Sequence, residues 1–119
     1  MATGPSATPC KLTPDPKDPS RFNSGEGTVT LKLVSNVGNI AFFIQNTDVL
    51  DAAGNSVNPT KTPTSLSFSV AKGKAYVVET MYFIFPTHSS GVLQEDCPGG
   101  VILSAVNAIH NPQQFTVQG

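Results

Sequence analysis

The chain reads as all-β, a single antiparallel β-sandwich of about seven strands, immunoglobulin-like or jelly-roll-like. Three observations predict it. Apolar residues alternate with polar ones through most of the sequence, turn residues recur every eight to twelve positions, and two long segments carry no charge at all. From Cys97 to Gly119, and again from Leu33 to Thr47, there is no Asp, Glu, Lys or Arg, in a chain only 13% charged. Segments without strongly solvating groups pack in a core or an interface.

The elements follow in order. Met1 to Pro19 holds Pro5, Pro9, Pro14, Pro16 and Pro19, half of the ten prolines. Proline removes ladder donors and favours extended backbone, so residues 1–26 are expected to form an irregular Pro-rich arm ahead of a β-sandwich domain over 27–119. Thr28 to Asn36 alternates Val29, Leu31 and Leu33 with Thr30 and Lys32, a half-buried strand. Asn36-Val37-Gly38-Asn39 is a turn, and Ile40 to Gln45 should pair back as a hairpin. Thr47 to Thr64 reads as irregular chain containing a small hairpin, with Asp51-Ala52-Ala53-Gly54-Asn55 as its turn.

Leu66, Phe68 and Val70 alternate with serines in a strand with one wet face, and Lys72-Gly73-Lys74 turns the chain. The longest apolar strand, Ala75 to Phe85, follows. Val77, Met81, Phe83 and Phe85 point one way on average and Tyr76, Val78, Tyr82 and Ile84 the other, so neither face is polar. One face is core; the other needs a second sheet, a subunit or a ligand over it. Thr87 to Gly100 is expected to be a long loop, and Val101 to Val106 and Gln114 to Val117 are the last strands. Helical spacing of Ile102, Ala105, Val106 and Ile109 offers a short helix as the alternative for 101–109.

At 119 residues one domain is expected, large enough to bury roughly two-thirds of its unfolded surface. A net charge of −1, thinly scattered, makes no electrostatic footprint for nucleic acid, and low repulsion favours a homo-oligomer. No run of about 18 apolar residues is present, so no membrane insertion is expected. The sequence start, MATGPSATPC, lacks the basic and apolar regions of a signal peptide, yet 12 Thr, 11 Ser and 8 Asn beside seven basic residues suit an extracytoplasmic protein, secreted or on a surface. Cys10 and Cys97 are too few for structural zinc and too far apart for a CxxC motif; a disulfide joining them is expected, with free thiols as the alternative.

Catalytic groups are scarce. His88, Ser89, Ser90, Glu95 and Asp96 supply the residue types of a nucleophilic triad, but without a GxSxG elbow, and no enzyme is expected. Asp48, Asp51 and Asn55 crowd one loop with hard oxygen atoms, a spacing that matches no EF-hand; calcium is the cofactor they would take, and turn chemistry the simpler use, so no cofactor is expected. With Tyr76 and Tyr82 as stacking rings, the same three residues make a candidate carbohydrate site. A structural subunit that self-associates through its uncharged strands is the alternative function.

Overall fold

In a computed structural model that describes residues 9–37, 44–80, 89–107 and 113–118, the alternating segments form eleven strands. In chain order these are β1 (Leu12–Asp15), β2 (Asp18–Ser24), β3 (Gly27–Val37), β4 (Thr47–Asp51), β5 (Thr60–Thr62), β6 (Ser65–Val70), β7 (Ala75–Thr80), β8 (Ser89–Glu95), β9 (Ile102–Asn107), β10 (Gln113–Gln114) and β11 (Thr116–Gln118). All pair antiparallel, in two sheets. In the first, β7 is flanked by β4 on one edge and by β2, then β10, on the other, and β1 lies outside β2. The second runs β11-β9-β8-β3-β6-β5. The fold is the expected β-sandwich, with more strands than the seven expected.

The core is where the inward faces meet. Phe22, Val49 and Val78 of the first sheet and Val29, Leu31, Leu66, Leu93 and Leu103 of the second are each at most 1% exposed. Their neighbours in sequence face outward, as the period of two requires. The last segment is shared between the sheets: β10 pairs with β7 and β11 with β9, and Phe115 between them is fully buried, its N–H donated to the Val78 carbonyl at 3.0 Å. A side chain of that size stabilises by about 2–3 kcal/mol when fully buried, so Phe115 pins the two sheets together.

Several expectations are corrected. The arm is not irregular throughout, because β1 and β2 lie within residues 1–26 and form a hairpin. Pro14 is accommodated because β1 is an edge strand with a register shift beside it, where a missing donor costs no ladder bond. The expected loop from Thr87 to Gly100 contains β8 instead, in which Gly91, Leu93 and Glu95 face inward. An inward glutamate disguised that strand's alternation. Residues 102–107 are a strand, as expected for 101–106, and the helical alternative does not form. Thr47 to Thr64, expected to be irregular outside its hairpin, contributes β4 and β5. Strand β3 pairs with β6 and β8. Its expected partner Ile40 to Gln45 lies mainly outside the described residues, as do 81–88, including Tyr82 and the second half of the long strand. No helix among the described residues is long and apolar enough to cross a membrane.

Candidate functional site

The hairpin after β4 is built by carboxylates. Asp51 accepts the N–H groups of Ala53 (2.9 Å) and Asn55 (3.0 Å) on one oxygen, while its own N–H goes to the Asn55 carbonyl and its carbonyl receives Gly54 N–H, each at 2.9 Å. Gly54, at φ 86°, takes a backbone conformation that a Cβ would disfavour. Asp48 accepts Val49 N–H and the Ser56 hydroxyl, both at 2.8 Å, and Ser56 Oγ in turn accepts Asn58 N–H at 3.0 Å. Both carboxylates therefore serve turn chemistry. Asp48 also stands directly opposite Glu79 in the sheet, a like-charge pair that favours an outside cation or donor.

Two shallow pockets flank this hairpin. One, of about 330 Å³, lies between the Asp51–Ala53 turn and the Ala71–Lys74 turn, with Tyr76 at its base. Only an edge of that tyrosine is available: it is 5% exposed, stacked on Phe22 at 6.1 Å and tilted against Phe68 at 6.3 Å, with its hydroxyl accepting Ala71 N–H at 3.0 Å. Tyr76 is a core residue and offers no open ring face.

The other pocket, of about 440 Å³, is lined by Asn46, Asp48, Ser56, Asn58, Pro59 and Lys61. Lys61 continues into a third pocket of about 330 Å³ with Ile44, Gln45, Thr62 and Pro63. These two follow the open side of the sandwich, where edge strand β5 of the second sheet faces the chain leading into β4 of the first. Lys61 is in register with the fully buried Leu66, so its side chain is directed inward at the edge, and its Nζ donates to the Gln45 carbonyl at 3.0 Å. An inward lysine on an edge strand blocks strand addition and keeps its ammonium in water by laying the stem over apolar surface.

Asn58 has φ 54°, and among the described residues no other non-glycine has positive φ. It precedes Pro59, which itself disfavours helical backbone before it. Strained backbone of this kind concentrates at functional sites. Asn58, Ser56 and Lys61 are not among the residues that the sequence singles out. The place of Asn58 before a proline in an Asx-rich stretch was the available signal.

The expected residues thus separate. Asp51 and Tyr76 meet at one pocket, Asp48 lines the other, and Asn55 lines neither. Among the described residues, no group of three His, Cys, Asp or Glu side chains of metal-binding size includes Asp48 or Asp51. The group that does form, Cys10, Glu95 and Cys97, has its donors committed. Cys10 and Cys97 are disulfide-bonded with Cα atoms 5.4 Å apart, as expected, and the Glu95 oxygens accept Lys11 N–H (2.8 Å) and Leu12 N–H (3.1 Å). The disulfide is suited to an oxidising, extracytoplasmic environment.

Of the residues that resemble a triad, Glu95 is thus occupied, Asp96 pairs with Lys32 at 3.4 Å, and His88 lies outside the described residues. No protein-family model, curated protein or solved structure matches this chain, so the site rests on its own residues.

Proposed function

We propose that this chain is a non-catalytic binding module for carbohydrate, carried on a secreted or surface protein. The observation that carries the reading is the 440 Å³ pocket, whose lining combines a carboxylate, carboxamides, hydroxyls and an ammonium with the apolar ring of Pro59. Paired donors and acceptors of this kind match the vicinal hydroxyls of a sugar, and a proline ring suits its C–H face. The volume lies in the range of small-molecule sites, about 300–1,000 Å³. Asn58→Gly tests it: glycine accepts φ 54° without strain, so the amide is removed while the backbone is kept. Screening a glycan array and titrating its hits should show binding to the parent chain, and about tenfold weaker binding to the variant at unchanged melting temperature. An array without hits, or equal affinities, would overturn the reading.

A second reading, a self-associating structural subunit, has its own observation. Val34 and Ile102 are 46% and 38% exposed, and with the half-exposed Val92 they share the outer face of strands β3, β8 and β9. Light scattering on Ile102→Lys distinguishes the two: loss of a larger particle favours assembly, and a parent chain that is already monomeric excludes it.

A further inference from the structure

We infer that the ligand is an extended acidic sugar chain, with a carboxylated unit over Ile44 and Pro63 and a neutral unit in the adjoining polar pocket. The inference rests on the carbohydrate reading above. Lys61 lines both pockets, which makes them two subsites of one groove rather than separate sites. Their electrostatics differ. Asp48 lines the larger pocket, where its carboxylate accepts sugar hydroxyls and repels an anion. The smaller pocket has no carboxylate in its lining, and Lys61 is its one charged lining residue among those described.

Only one of the three N–H donors of the ammonium is directed to the Gln45 carbonyl, and the side chain is exposed, so a ligand carboxylate can take the remainder in a charge-assisted bond. Ile44 and Pro63 provide the apolar floor on which a hexuronic ring can lie. Asp48 therefore fixes the direction in which the chain lies, and Lys61 selects its acidic unit.

The test is calorimetric titration of the full chain with an aldobiouronic acid, one hexuronic unit joined to one neutral hexose, and with its methyl ester, which removes the charge and adds only a methyl group. We expect the acid to bind at least about fivefold more tightly at low salt. That preference should vanish in Lys61→Gln, return in Lys61→Arg, and shrink as ionic strength rises from about 0.05 to 0.5 M. Circular dichroism on each variant verifies folding. Equal affinity for acid and ester overturns the acidic-ligand inference and leaves the carbohydrate reading standing. Binding of neither, together with an empty glycan array, overturns both.

Discussion

Glu95 reaches back 84 residues along the chain to accept the N–H of Lys11 at 2.8 Å. Its other oxygen accepts Leu12 N–H at 3.1 Å, and the residue is only 3% exposed. A buried carboxylate is tolerated here because it accepts two backbone N–H groups at the start of β1. Glu95→Ala should cost about 2–4 kcal/mol, from two amides left without acceptors. Glu95→Gln, which keeps one acceptor, should cost less. Urea unfolding at constant m-value measures both.

The disulfide anchors the same segment covalently, joining residues 87 apart in sequence. Closing so long a loop restricts the unfolded chain by about 4–5 kcal/mol in the chain-entropy model. Reduction, or the Cys10→Ser/Cys97→Ser pair, should lower the melting temperature and leave most of the sandwich intact. Because the bond and Glu95 hold one strand, combining the cysteine pair with Glu95→Ala should cost less than the sum, a coupling that a double-mutant cycle reads directly.

Gly100 closes the turn that follows Glu95, donating its N–H to the Cys97 carbonyl at 3.0 Å. A Cβ at this position would strike the Glu95 carbonyl oxygen and crowd Cys97 Sγ at 3.0 Å. Backbone rather than a flexible side chain would have to yield. Gly100→Ala should destabilise by about 1–3 kcal/mol, as overpacking does. At Gly54, by contrast, a Cβ meets nothing within 4 Å, and Gly54→Ala should cost only the φ penalty, about 1–2 kcal/mol. Thermal unfolding of the two variants compares them.

Asp18 is held below its ordinary carboxyl value of 3.8, first by the Ser20 N–H, then by the Ser20 hydroxyl, with a further contribution from the Arg21 charge. A depressed folded-state pKa contributes stability that is present above the unfolded value and lost as pH falls through the folded one. Stability should therefore decline below about pH 4 with a component that Asp18→Asn removes. Unfolding curves of parent and variant should differ at pH 6 and approach one another as the pH falls through the folded-state value. Equal pH dependence of the two proteins would contradict this.

Tyr76→Phe separates core from site. The hydroxyl accepts Ala71 N–H at 3.0 Å, so its removal should cost about 1 kcal/mol of stability. Glycan affinity should stay unchanged, because the ring is enclosed by Phe22 and Phe68 rather than open to a ligand.

The sequence by itself determined the fold class and made a Cys10–Cys97 disulfide the expectation, with free thiols as the alternative that the structure then removed. Period-two alternation at Val29, Leu31, Leu66 and Phe68 is a local property, and those side chains are buried in the sandwich core. The Asp51–Asn55 turn was legible for the same reason, since its acceptor and donors lie within five residues. The uncharged C-terminal stretch marked Leu103, Phe115 and Val117 for burial, although Ile102 and Thr116 on the same strands face outward.

Tertiary structure decided what depends on partners distant along the chain. Glu95 is buried only because Lys11 and Leu12 arrive with donors to satisfy it. Lys61, although exposed, lies on the core-facing side of edge strand β5 because its register with Leu66 assigns it that face, which residue type alone would not show. The two pockets that share Lys61 exist because edge strands from different sheets meet around that residue. Side-chain chemistry can be read one residue at a time, but a register, a buried charge or a groove is set by which segments pack together, and the free energy of that choice is spread over the whole core.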